Sequence, residues 1–158
     1  MTKNVYIQTK DGVIFHIDEK ILFHSKIIND MLKLRSDNNE IVPLFNVSSS
    51  IFILLIQWMT MHTDHKHMYP DYDLGQRDTQ RQLHPYDIEF CSSLKKDELF
   101  EMLKISTQLG IDMLVEITAK TIASKLNSMT TEEMRDYLEE ENDLKEDDII
   151  QIDKRFSL

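Results

Sequence analysis

Ile41-Val-Pro-Leu-Phe-Asn-Val47, Ser48-Ser49-Ser50, and Ile51-Phe-Ile-Leu-Leu-Ile-Gln-Trp-Met-Thr-Met61 form the stretch on which the fold turns. The first run is short and extended. Pro43 has no N–H to give to a neighbouring strand, so the strand belongs at a sheet edge or ends there. The serines follow, and the Ser48 hydroxyl is placed to accept one of the free N–H groups of a helix start. From Ile51 the chain reads as a helix with apolar residues at Ile51, Phe52, Leu54, Leu55, Trp58 and Met59, and again at Ile53 and Ile56. A helix apolar on nearly every side is central to a core, or it has a face that some partner covers. Trp58 and Met59 read as core. Ile53 and Leu54 read as core or as partner surface, because with Leu55 and Ile56 they leave that turn no polar side.

Upstream, Val5, Ile7 and Thr9 alternate with Tyr6 and Gln8, and Val13, Phe15 and Ile17 alternate with Ile14 and His16. Asp11-Gly12 lies between the two runs. This pair tolerates positive φ at both turn positions, which predicts a tight hairpin. Asp18 is set to cap a short helix over Glu19 to His24, and Ser25 another that carries Ile28, Met31 and Leu32. Ser36 to Glu40 is a polar loop.

Downstream, residues 62–85 show no apolar periodicity and contain Pro70, Gly75 and Pro85 with many charges. They are expected to form a long mobile loop between an α/β front and a helical back. In the back, Leu99, Met102, Leu103, Ser106 and Leu109 share a helix stripe, with Gly110 as its C-cap. A helix over Met113 to Leu126 follows, with Leu114, Ile117, Thr121 and Ile122 on one face. Thr130-Thr131-Glu132-Glu133 is a capping box at the start of a helix carrying Met134, Tyr137 and Leu138. After an acidic link, Leu144, Ile149, Ile152 and Phe156 mark a last amphipathic helix. Both terminal helices are short and apolar on one side. Helices of roughly 10 residues are marginal alone, so a groove completed by another protein is expected. The organisation expected is a domain over 1–126 and partner-binding helices over 127–158.

The 158 residues suffice for one domain with a buried core. A net charge of −10 disfavours nucleic acid. No apolar run has membrane-spanning length, and the start Met1-Thr-Lys-Asn4 has no signal-peptide core. Cys91 is the only cysteine, which excludes an internal disulfide and suits a reducing compartment. The expected location is cytoplasm and nucleus.

Catalytic and cofactor chemistry finds little support. His62, His65, His67 and Asp64, with more distant His84, are the ligand-rich cluster, but the spacing matches no helix face and includes no cysteine. A solvated loop is the better reading, with no metal. Cys91 has no activating neighbour in sequence and reads as an idle or buried thiol. The serine triplet lacks a nucleophile elbow. With three glycines in the chain there is no phosphate-cradling loop. The acidic pairs at Glu132-Glu133, Glu139 to Glu141 and Asp147-Asp148 sit at helix starts and links, where negative charge is favourable. No catalytic residue and no cofactor is expected.

An ordered set of marks resembles one family. Ile7, Asp11, Gly12 and Phe15 come first, then Val-Pro-Leu-x-Asn-Val at 42–47 and Ile56-Gln57-Trp58. After the loop come Asp87, Glu89 and Phe90, then Leu99-Phe100-Glu101, Leu109 and Ile111, and Thr118, Lys120 and Thr121. Thr131-Glu132-Glu133, Arg135 and Asn142-Asp143 complete the set. Together they are similar to the S-phase-kinase-associated (Skp) adaptor family of cullin–F-box ubiquitin ligases. The resemblance implies an α+β BTB/POZ fold, an N-terminal hairpin plus short strand and helices, followed by two extra C-terminal helices. It implies a non-catalytic adaptor of an SCF-type E3 ligase that bridges an F-box receptor to the N-terminal region of a cullin. By position, the F-box side maps to Ile117, Thr121, Ile122, Met134, Leu138, Leu144, Ile149, Ile150 and Phe156. The cullin side maps to Leu44, Phe45, Asn46, Val47, Thr107 and Gln108.

The chain departs from the family at several of these places. Thr107-Gln108 replaces the usual Asn-Tyr, removing an aromatic anchor. Tyr86-Asp87 stands for Trp-Asp, Glu140 for an apolar residue, and Leu158 occupies a Trp position. Ile53-Leu54 is usually charged, and apolar residues there invite self-association as a homodimer. A divergent paralogue is the expectation. Two other readings are an F-box-binding assembly protein with lost or altered cullin docking, and an elongin-C-like adaptor, the latter disfavoured by the extra terminal helices.

Overall fold

The computed structural model describes residues 3–65 and 82–138. The hairpin strands are β1 (Asn4–Gln8) and β2 (Ile14–Asp18), antiparallel with Ile7 opposite Phe15 and Val5 opposite Ile17. β3 (Ile41–Pro43) pairs parallel to β1, giving the order β2-β1-β3. Pro43 therefore lies in an edge strand, where its missing N–H costs no ladder bond. Val5, Ile7, Ile17 and Val42 face inward and are buried.

The hairpin loop is wider than the tight two-residue turn expected from Asp11-Gly12. The Gly12 N–H reaches the Thr9 carbonyl at 2.9 Å, and the Thr9 N–H reaches the Val13 carbonyl at 3.0 Å. Gly12 has φ 83°. This is a three-residue loop in which a turn is followed by a glycine in the left-handed region. The Thr9 hydroxyl donates to Asp11 Oδ1 at 2.7 Å, holding the aspartate as a loop acceptor.

The helix expected over Glu19 to His24 is a 3-10 turn at Ile21–His24. Asp18 Oδ1 takes the Lys20 N–H, a local bond that tightens the chain before a full helical turn forms. α1 (Lys26–Lys33) starts as expected, with Ser25 Oγ accepting the Ile28 N–H at 3.1 Å. Ile28 and Leu32 are buried, and Met31 is half-buried.

α2 (Ser49–Asp64) is the central helix, capped by the Ser48 hydroxyl. Phe52, Leu55, Trp58 and Met59 are fully buried, whereas Ile53 is 46% exposed and Leu54 half-buried. This helix runs on to Asp64, beyond the start expected for the loop, and it carries His62 into the interior at 4% exposure. α3 (Pro85–Ser93) was not marked by apolar periodicity. Pro85 stands in its first turn, where the missing N–H is harmless, and His84 Nδ1 accepts the Tyr86 N–H at 3.1 Å. The loop expected over 62–85 is thus helical at both described ends, and its remainder lies outside the described residues.

α4 (Lys96–Leu109) buries Leu99, Met102, Ile105, Ser106 and Leu109; Leu103, expected on that stripe, is half-buried, and Ile105 takes its place. The Gly110 cap is as the sequence predicts, with φ 67°. Ile111 N–H bonds Ser106 O at 2.9 Å and Gly110 N–H bonds Thr107 O at 3.3 Å. These are the two bonds of a Schellman end. α5 (Asp112–Asn127) buries Leu114, Ile117, Thr118 and Ile122. α6 (Thr131–Leu138) begins with the predicted capping box: Glu133 N–H to Thr130 Oγ1 and Thr130 N–H to Glu133 Oε2, each 3.3 Å. The chain divides into two compact units, residues 1–122 and 123–158, with the boundary inside α5.

Candidate interaction surfaces

The corner after β3 is built by the hairpin loop. Leu44 N–H bonds Gln8 O at 2.8 Å, and Lys10 N–H bonds Val47 O at 2.9 Å. Asp11 then clasps the start of α2: Oδ1 accepts the Ser49 N–H at 2.9 Å and Oδ2 accepts the Ser49 hydroxyl. A carboxylate facing free helix N–H groups is favourably placed. The Ser49 and Thr9 hydroxyls together hold the Asp11 carboxyl down at about 2. Leu44 and Val47 are buried at 4% and 2% exposure and act as pegs beneath the corner, whereas Phe45 is 79% exposed. Asn46 is also exposed. Of the four corner residues expected on the cullin side, Phe45 and Asn46 present side chains to solvent.

The end of α4 is held by α1. Ser25 Oγ donates to Leu109 O at 2.6 Å, and Lys26 N–H reaches Gly110 O at 3.4 Å. Lys26 Nζ meets Asp112 Oδ2 at 2.6 Å. Thr107 and Gln108 stand exposed on this end, and the Thr107 hydroxyl returns to Leu103 O.

Of the residues expected on the F-box side, Ile117 and Ile122 are 2% and 7% exposed, packed within the chain itself. The spacing that put them on one face is the spacing that buries them. Thr121 is half-buried with its hydroxyl on Ile117 O. α6 has no buried residue, Met134 is half-buried, and Leu138 is 37% exposed. Leu144, Ile149, Ile150 and Phe156 lie outside the described residues.

The histidine cluster separates into unrelated roles. His62 Nε2 and Trp58 Nε1 both reach Asp87 Oδ1 at 2.9 Å, and Asp87 is fully buried. The His62 ring stacks on Trp58 with centroids 4.0 Å apart, and His24 meets the Trp58 ring at 5.7 Å edge-on. This network welds the end of α2 to the start of α3; the sequence reading missed it because its members lie 25 and 29 residues apart. Tyr86 packs edge-on to His62 at 6.2 Å, and burial, followed by the charges of Asp87 and Glu89, raises its phenol above the usual range. His65 is exposed at the end of α2, His84 caps α3, and His67 lies outside the described residues. Among the described residues no three His, Cys, Asp or Glu side chains converge as metal ligands. Cys91 is buried.

Comparison with known proteins bears on these surfaces. Residues 3–64 match the tetramerisation domain of the Skp1 family, and residues 112–155 match that family's dimerisation domain. The chain is 30% identical over 152 residues to SCF ubiquitin ligase complex protein SKP1a of Dictyostelium discoideum, covering 95% of this chain and 91% of that protein. SKP1b of the same organism matches with the same identity and coverage. E3 ubiquitin ligase complex SCF subunit sconC of Arthroderma otae is 27% identical over 151 residues, covering 96% of this chain and 91% of the relative.

Proposed function

This chain belongs to the Skp1 family, and from that membership we infer that it is an adaptor subunit of an SCF-type ubiquitin ligase. Relatives named as SCF subunits match it nearly end to end, which disfavours the alternative of an assembly protein without a ligase role. The adaptor is non-catalytic: its contribution is to hold a substrate receptor at a fixed place relative to a cullin. Its compartment is the cytoplasm and nucleus.

The observation that carries the mode of binding is that α6 buries none of its own residues while Leu138 stands exposed. An eight-residue helix gains little stability alone, and covering what remains of Leu138, 37% exposed, contributes about 0.5–1 kcal/mol. An F-box helix bundle is the partner proposed to supply that cover, packing on Met134 and Leu138 with Leu144, Ile149, Ile150 and Phe156. On the cullin side Phe45, Asn46, Thr107 and Gln108 are the proposed contacts. Exposed Phe45 offers an aromatic anchor on a chain that lacks one at 107–108.

Co-purification of the folded chain with tagged F-box proteins and with a cullin N-terminal domain tests this reading. Both are expected to be retained, and Leu138→Asp should weaken F-box capture while leaving cullin capture intact. Retention of neither would end the proposal. Thr107→Asn with Gln108→Tyr should strengthen cullin binding.

A further inference from the structure

A cavity of about 280 Å³ opens beside the end of α1. Lys3, Lys33 and Arg35 line it, with Glu19, Phe23 and Asn38. Three cations and one carboxylate line it, and Asp30 lies 4.0 Å from Lys33, which leaves a formal surplus of one positive charge on a chain whose net charge is −10. Arg35 is the built part of the site. Its side chain is 8% exposed. Nε donates to Leu32 O at 3.2 Å and Nη1 to Asn38 O at 3.3 Å. Nη2 meets Glu19 Oε1 at 3.9 Å, an ion-pair distance too long for a hydrogen bond. A guanidinium carries five N–H donors. Among the described residues, the Arg35 donors left over from the two carbonyls have that carboxylate at ion-pair distance, and they open onto the cavity.

The other polar groups nearby are already engaged. The end of a helix is negative and by itself repels an anion, but the Leu32 carbonyl at the end of α1 takes both Arg35 Nε and the Arg35 backbone N–H. In the adjoining turn, Glu40 Oε2 holds the Ser36 N–H and Asp37 Oδ1 the Asn39 N–H. Lys33 Nζ has Asp30 at 4.0 Å, with both side chains well exposed. Phe23 is 60% exposed at the rim, a flat apolar wall beside the cations.

We propose that this cavity binds a phosphate monoester carried on a flat apolar body. The phosphate would take the spare Arg35 donors in the forked geometry that guanidinium offers to oxyanions, Lys3 and Lys33 would flank it, and the body would lie on Phe23. A phosphate monoester presents three acceptor oxygens where a carboxylate presents two, and the donors here come from three side chains, Arg35, Lys3 and Lys33.

Titration of the full chain with phenyl phosphate, inorganic phosphate and benzoate at low ionic strength tests the assignment, followed by calorimetry and by the amide shifts of residues 33–38. Phenyl phosphate is expected to bind saturably and more tightly than either other probe. Lys3→Glu with Lys33→Glu changes exposed side chains, so folding is retained, and it should weaken phenyl phosphate by about tenfold or more. Arg35→Lys should also weaken it, because an ammonium cannot supply the fork. Absence of saturable binding, or equal binding by the double variant, overturns the site. Benzoate binding as tightly as phenyl phosphate overturns the assignment to phosphate, and inorganic phosphate doing so overturns the role of Phe23.

Discussion

Asp87 is a single oxygen on which two elements depend. Trp58 and His62 both bond Oδ1 in a fully buried place. Asp87→Ala leaves an indole N–H and an imidazole without that acceptor, and a loss of about 2–4 kcal/mol is expected in urea unfolding followed by circular dichroism. Asp87→Asn keeps one oxygen and should lose less. Asp11 gives a different signature. Its carboxyl is held at about 2 by the Ser49 and Thr9 hydroxyls, below its ordinary value of 3.8. A carboxyl depressed in the folded chain favours folding above its ordinary value, and that contribution is lost as pH falls through the folded one. The clasp on α2 should therefore weaken between about pH 4 and pH 2. A carboxyl-carbon NMR titration with its midpoint at the ordinary aspartate value would refute it, and Asp11→Asn should flatten the acid limb of the stability curve.

At the scale of elements, Gly110 decides how α4 ends. With φ 67° and an added Cβ falling 3.2 Å from Lys26 Cβ, alanine is both strained and crowded. Gly110→Ala is expected to cost about 1–2 kcal/mol, read as a lowered urea midpoint with unchanged slope. This cap was legible in the sequence, as were the Ser25, Ser48 and Thr130 caps, because capping is set within a few residues. β3 and the core side of α2 were legible for the same reason: Pro43 and the apolar density around Trp58 leave few options. α3 was not, because Asp87 finds its partners Trp58 and His62 on α2, 29 and 25 residues away, and leaves no local period. The loop over Thr9–Val13 is not legible locally, because Asp-Gly serves two turn types and the choice rests on where Asp11 finds its partners. In the candidate sites, periodicity identified Ile117 and Ile122 as one face without saying whether solvent or protein lies over it; the chain's own packing does.

At the scale of the whole molecule, the outward side of α2 is unusually apolar. Ile53 is 46% exposed, Leu54 and Ile56 are half-buried, and Gln57 is the polar residue among them. From such a stripe, on a chain that matches family domains named for tetramerisation and dimerisation, we propose that copies of the chain meet there. Ile53→Lys with Leu54→Lys should lower the average mass in sedimentation velocity and move the melting temperature by no more than about 4 °C. A collapsed melting transition would show that these side chains hold the interior together instead.

The chain has one tryptophan, and its ring is fully buried with its nitrogen on Asp87 and its face on His62. Its emission therefore reports on a single place. Any separation of α2 from α3 lets water reach the indole and moves the spectrum to longer wavelength, without a label and without a second fluorophore of its kind to confuse the signal. Receptor or cullin docking that leaves that spectrum still has not disturbed this seam, and docking that shifts it has reached the interior.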